Sequence, residues 1–242
     1  MSNRTVLSVL AFGAIAVGAW VLYDSRKNKK GCCCPAGSCG YLEPQNDQEK
    51  GKEVIKAGIK FYEVGASKTA KLLIIIPDVW GWSSGRIRAI ADELASEGFY
   101  CVIPKLLSPV LEGGTNGDGL PPNFDLSKRG DEFLPWVSAI TWNQTEVKLN
   151  ALLTHLEPGI GQNFDISKKV STLGFCWGCW ALTKWLGATT RTSAIHKAMD
   201  KAAMCHPAIT LEGGAYGGDT YEACRSVDAQ VMLLPAGNDS DE

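Results

Sequence analysis

The chain has 242 residues, enough for one sizeable α/β domain or two small ones. Its formal net charge is -2, so no basic excess is available to neutralise phosphates, and a nucleic-acid partner is excluded on that ground. Its nine cysteines are odd in number and unevenly placed; in a chain large enough to need no staples, this argues against a disulfide framework and for a reducing compartment, with only the Asn143-Gln144-Thr145 sequon pointing the other way.

Residues 5–23, TVLSVLAFGAIAVGAWVLY, carry no charge and have about the length of a membrane-spanning helix. Arg4 precedes them, and Asp24 and the basic run Arg26, Lys27, Lys29 and Lys30 follow. The heavier positive flank is C-terminal, which places the main domain on the cytosolic side of a single-pass anchor. Residues 1–30 are therefore expected to form a transmembrane anchor with a basic collar. The competing readings are a signal peptide cleaved after the small residues Val17-Gly18-Ala19, which would make the protein secreted, and an organelle presequence. Residues 31–52 form a Cys-rich leader and linker. There, Cys32, Cys33, Cys34 and Cys39 are either palmitoylation sites beside the collar or an irregular segment packed on the domain edge; a separated second ligand pair for zinc is missing.

From residue 53 onward the pattern is that of a sheet protein. Residues 54–64 alternate polar and apolar and predict an edge strand or hairpin. The run KLLIIIP at 71–77 predicts a strand buried on both faces. A helix is predicted over 84–97, with Ile87, Ile90, Ala91 and Leu94 on its apolar face, Ser83 or Ser84 as cap and Gly98 at its end. A short strand over 99–104 comes next. Residues 106–128, rich in glycine and proline, predict a surface loop. A helix from about 144 to 156 follows, with Val147, Leu149, Leu152, Leu153 and Leu156 turned inward. Then come a strand over 170–175, a helix over 177–186, and strands over 201–205 and 230–235. Strands alternating with helices predict a doubly wound, mostly parallel α/β sheet, with reactive groups at the carboxyl ends of its strands.

The stretch GFCWGCW at 174–180 joins a predicted strand to a predicted helix. Strand, G-x-C-x-G, helix is the pattern of a nucleophile elbow with cysteine in place of serine. Gly174 and Gly178 remove side chains that would clash in the tight turn. The helix that follows points its N-terminus at the Cys176 thiol, and its dipole favours a negatively charged sulfur.

With GFCWG, the loop IIIPDVWGW at 74–82, the His206-Pro207 pair and the leader CCCPAGS, the chain resembles the dienelactone hydrolase, or carboxymethylenebutenolidase-like, family from about Cys33 to its end. The resemblance implies an α/β-hydrolase fold over residues 53–242 and hydrolysis of a small-molecule carboxylic ester or lactone without metal or organic cofactor. It implies Cys176 as nucleophile, the backbone N–H groups of Val79 and Trp177 as oxyanion hole, and Asp239 as the triad acid, with Asp241 a poorer match. Asp78 stands where the family often carries a glutamate against the resting thiol, and is one methylene shorter. Trp80, Trp82, Trp177 and Trp180 form either an aromatic wall for an apolar acyl group or packing residues.

Two departures bear on the chemistry. Bacterial members hold a substrate carboxylate with an arginine soon after the second strand; here Pro104 is followed by Lys105, Leu106, Leu107, Ser108 and Pro109. The fold's chain order is nucleophile, acid, histidine, and the sequence stops at Glu242, just after the acid. The expectation is therefore a C-terminally truncated domain that lacks the triad histidine. His155 and His196 fall in helical stretches. His206 follows a strand and should emerge beside Cys176, as a pocket residue or as a substitute base. The alternative is a catalytically inactive short form that serves as a membrane-tethered binding or scaffold module.

Overall fold

A computed structural model describes residues 49–56, 58–114 and 118–236. The predicted anchor, its collar, the four leader cysteines, Asp239 and Asp241 lie outside the described residues. Among the described residues no helix is long and apolar enough to cross a membrane.

The described residues open with a hairpin, β1 (Lys52–Lys56) and β2 (Ile59–Val64), closed at Gly58 with a positive φ of 81°, a conformation that glycine adopts without strain. Next come β3 (Lys71–Ile76), α1 (Ile87–Ser96), β4 (Phe99–Pro104), α2 (Gly130–Ala139) and α3 (Trp142–Leu156). They are followed by β5 (Val170–Phe175), α4 (Trp177–Leu186), α5 (Ala194–Ala198), β6 (Met199–Cys205), α6 (Leu211–Gly214), α7 (Thr220–Arg225) and β7 (Gln230–Leu234). The seven strands found among the described residues form one sheet in the order β1-β2-β4-β3-β5-β6-β7. The hairpin joins β4 antiparallel, and every pairing from β4 to β7 is parallel.

Strand β3 shows why the sheet needs cover on both sides. Leu72, Ile74 and Ile76 face one apolar cluster together with Leu149, Leu152, Leu153, Trp177 and Leu182. Leu73 and Ile75 face another, with Ile87, Ala91, Cys101 and Ile103. Each such side chain contributes roughly 1.5–3 kcal/mol on leaving water, so helices are required on both faces. The predicted doubly wound architecture is what the strand pattern produced.

Several local expectations need correction. Helix α1 starts at Ile87 without a side-chain cap, because Ser84 Oγ donates instead to the Gly81 carbonyl. Helix α2 is not predicted by the sequence pattern: it opens on a glycine and contains Pro135, two residues that mask a helical pattern. In α3 the buried positions are Thr145, Leu149, Leu152, Leu153 and Leu156, while Val147 is exposed. The segment 106–128 is not simply superficial, since Leu106, Leu107, Asp118, Leu120 and Phe124 are buried.

Candidate active site

The strand order reverses direction around β3. The chain leaves β3 for β4 on one side and reaches β5 on the other. Open parallel sheets hold their ligand sites at such a switch point, outside the carboxyl ends of the strands. Register then decides which residues meet there. Ile76 pairs with Gly174, and Phe175 pairs with Cys205. Two residues beyond the first pair are Asp78 and Cys176; one beyond the second are Cys176 and His206. Three strands thus deliver Asp78, Cys176 and His206 to one sheet edge.

Cys176 joins β5 directly to α4 with φ 50° and ψ -112°, a region that non-glycine residues adopt only when their surroundings hold them there. Those surroundings are specific. The Cys176 amide donates to the Cys205 carbonyl at 3.0 Å, and the Cys176 carbonyl accepts from the Ala208 amide at 3.3 Å and the Cys179 amide at 3.0 Å. A Cβ on Gly178 would lie 2.3 Å from the Ile76 carbonyl oxygen, and one on Gly174 would lie 2.9 Å from Leu182 Cδ1. Close approach to the backbone of β3 therefore demands glycine at 178, while Gly174 is tightly packed against Leu182 and the first turn of α4. Helix α4 begins at Trp177, so the Trp177 N–H is among the amides that a helix leaves without an intrahelical acceptor.

His206 also has a positive φ, 51°, and its amide donates to the Leu234 carbonyl at 2.9 Å. The bonds from Cys205 and Ala208 to Cys176 bracket it, so the segment carrying His206 is strapped to the elbow. The other two histidines go elsewhere. The His155 ring packs against Phe61 at 5.1 Å between centroids. His196 is buried, with Nε2 3.0 Å from the Trp185 carbonyl, and burial pushes its ionisation below the usual histidine range.

On the far side of the elbow, the loop after β3 is closed by its own aspartate. Asp78 Oδ1 accepts from the Trp80 amide at 2.8 Å, and the Asp78 carbonyl accepts from Gly81. The Val79 carbonyl accepts from the Leu120 amide at 2.9 Å, which fixes the orientation of the peptides around Val79.

Asp118 completes this arrangement and is the residue that sequence reasoning missed. It is fully buried. Its Oδ2 accepts from the Trp82 amide at 3.0 Å and its Oδ1 from the Leu107 amide at 2.8 Å, so one carboxyl joins the loop after β3 to the loop after β4. Burial pushes its pKa up to about 7, opposed by those amides and by Lys105 and Lys148. A Cβ on Gly81 would fall 2.8 Å from Asp118 Oδ2, and one on Gly119 2.5 Å from the Val79 carbonyl. The available signal in the sequence was a lone acid between glycines in a loop otherwise bordered by apolar residues. Lys148 on α3 holds the same loop through the Leu106 carbonyl and Ser108 Oγ.

The four tryptophans do not make one wall. Trp82 packs on the α1 side of the sheet, and Trp80, Trp177 and Trp180 on the other. Trp180 stacks on Tyr216 at 4.0 Å between centroids and donates to buried Glu212 at 2.7 Å. Trp177 donates to the Tyr216 hydroxyl at 3.1 Å. These indoles anchor the elbow helix within the core. Among the described residues no group of three or more His, Cys, Asp or Glu side chains is arranged to hold a metal ion.

The family model of the dienelactone hydrolase family matches residues 59–207, which span both loops and the elbow. A carboxymethylenebutenolidase homolog of Xenopus tropicalis is 27% identical over 148 residues, 61% of this chain and 52% of that protein. The human carboxymethylenebutenolidase homolog is 26% identical over 129 residues, 53% of this chain and 46% of its own length. The chain thus spans about half the length of these relatives. Among solved structures, the carboxylesterase Cest-2923 of Lactobacillus plantarum aligns with a TM-score of 0.45 at 14% identity, covering 77% of this chain and 70% of that one.

Proposed function

Because this chain belongs to the dienelactone hydrolase family, we propose that it hydrolyses carboxylic ester or lactone bonds with Cys176 as the nucleophile. The observation that carries this reading is the backbone of Cys176, held at φ 50° between β5 and α4 by two close-packed glycines. A buried structural cysteine needs no such conformation. A nucleophile that must stand clear of its own helix does.

The chemistry follows in two steps. An imidazole takes the Cys176 proton, and the thiolate attacks the substrate carbonyl carbon. Of the three histidines in this sequence, His206 is the one brought to the elbow. The Val79 and Trp177 amides stabilise the tetrahedral oxyanion, a contribution of about 3–4 kcal/mol per donor. Collapse of the intermediate expels the alkoxide, which takes up the proton, and leaves a thioester on Cys176. Water then adds to the thioester carbonyl and releases the carboxylic acid and the free thiol. Asp239, four residues past Pro235 at the end of the strand that flanks His206, is proposed as the acid that orients the imidazole.

We further propose that the protein is tethered to a membrane by residues 5–23 and their basic collar, with the catalytic domain in the cytosol. The uncharged length and the C-terminal position of the positive charges support it. Retention of the full chain in the membrane pellet after alkaline carbonate extraction is expected; quantitative release would count against an anchor.

The test of the activity is steady-state hydrolysis of an activated phenyl ester by the full chain and by Cys176→Ala. Turnover should fall to the buffer rate in the variant. Equal turnover by both proteins would rule out Cys176 as nucleophile.

A further inference from the structure

Elbow chemistry uses one cysteine of GFCWGCW and leaves the other unexplained. Cys179 is fully buried and sits three residues after the nucleophile. Cys176 is the N-cap of α4, a helix of ten residues, and Trp177 is its first helical residue, which puts Cys179 at the third helical position. The Cys179 amide donates to the Cys176 carbonyl at 3.0 Å, so the two residues close a single turn, whose ends lie less than about 7 Å apart at Cα. That overlaps the separation a disulfide requires. A second contact locates the sulfur itself. Cys179 Sγ donates to the Cys205 carbonyl at 3.4 Å, and the Cys176 amide donates to that same oxygen at 3.0 Å. The buried thiol and the nucleophile's amide therefore share one acceptor, which keeps the Cys179 sulfur close to the Cys176 backbone.

We propose that Cys176 and Cys179 form a site of reversible oxidation, in which Cys179 captures an oxidised nucleophile as an intramolecular disulfide. The oxidant is a hydroperoxide and the reductant a dithiol. The Cys176 thiolate attacks the peroxide and becomes a sulfenic acid, with hydroxide (or alkoxide) as leaving group. The Cys179 sulfur then attacks the Cys176 sulfur; water leaves with the Cys179 proton, and the S–S bond forms. A dithiol returns both thiols and is itself oxidised. The Cys176 conformation favours this capture. At α3 and α5 the N-cap residues Thr141 and Ser193 adopt extended backbone at φ -70° and -77°, whereas Cys176 is held at φ 50°. Capture by Cys179 lets the Cys176 backbone move towards that extended N-cap form and so relaxes the strain. A serine nucleophile would have no such chemistry, and a residue other than cysteine at 179 would leave Cys176 open to irreversible oxidation.

The test uses the full chain treated with hydrogen peroxide, alkylated and digested with trypsin. Cleavage after Lys169 and Lys184 yields a peptide, 170–184, whose only cysteines are Cys176 and Cys179. The expected product is this peptide lighter by two hydrogens, closed to alkylation, and reopened at both sites by dithiothreitol. In Cys179→Ser, whose hydroxyl can still donate to the Cys205 carbonyl, Cys176 should instead advance to the sulfinic acid and resist dithiothreitol. The proposal is overturned by a wild-type peptide that carries a sulfinic acid with Cys179 still alkylatable, by one that stays fully alkylatable, or by one joined to the peptide 202–225 through Cys205. The readout is thiol state, so failure of the hydrolase reading would leave it unaffected.

Discussion

Gly178 lies so close to Ile76 that a Cβ on the glycine would meet the Ile76 carbonyl oxygen at 2.3 Å and the Pro77 oxygen at 2.7 Å. The neighbours are backbone atoms of the central strand and cannot turn away. Helix propensity alone predicts that Gly178→Ala stabilises α4 by about 1 kcal/mol. The contact predicts the opposite, a loss of about 3 kcal/mol from forced displacement of the strand end. Denaturant unfolding decides the sign. A stabilised variant would mean that the elbow is looser than described.

Asp118 makes stability depend on pH in a direction opposite to most carboxylates. Its folded-state pKa of about 7 stands above its ordinary value of 3.8. Between those values the folded protein holds a proton that the unfolded chain has lost, so stability falls as pH rises through this window and levels off above about 7. The groups facing the carboxyl are the Trp82 and Leu107 amides, Lys105 and Lys148. The full fall is at most ~4 kcal/mol. Asp118→Asn cannot titrate, so the stability difference between wild type and variant should shrink or reverse as pH rises from about 4 to about 7. A difference that stays constant over this range would show that Asp118 ionises normally.

Helix α3 begins with a capping box. The Thr141 side chain accepts from the Gln144 amide, and the Gln144 side chain accepts from the Thr141 amide at 3.1 Å. Thr141 is exposed, so its removal leaves no cavity. Thr141→Ala should therefore lower the unfolding free energy by about 1 kcal/mol with an unchanged denaturant slope. A variant as stable as wild type would show that the box adds nothing to a helix already fixed by its apolar face.

The same elements show what the sequence made legible. Strand β3 was readable because five consecutive apolar residues, Leu72 to Ile76, admit no single-face alternative. The elbow was readable because its glycines answer to backbone contacts that recur wherever a strand turns sharply into a helix. Val147 was misassigned because the inward face of α3 runs through Thr145, Leu149, Leu152 and Leu156; a residue midway between 145 and 149 points away whatever its hydropathy. The setting of Asp118 between glycines was visible, but its role was not, because that role depends on two backbone amides brought from distant loops, Trp82 and Leu107, and no local pattern encodes that meeting. His206 was placed correctly at the strand end, but the bonds that strap its segment to Cys176 come from register, which the sequence alone does not specify.

The central claim is that Cys176 carries the acyl group. The direct measurement is to mix the full chain with an activated ester, quench in acid within the first turnover, and determine the mass of the peptide 170–184. The account predicts one acyl group on this peptide, attached at Cys176, lost on treatment with hydroxylamine and absent from Cys176→Ala. An acyl group found on another residue, or turnover with no adduct on Cys176 at any quench time and undiminished in Cys176→Ala, would contradict it.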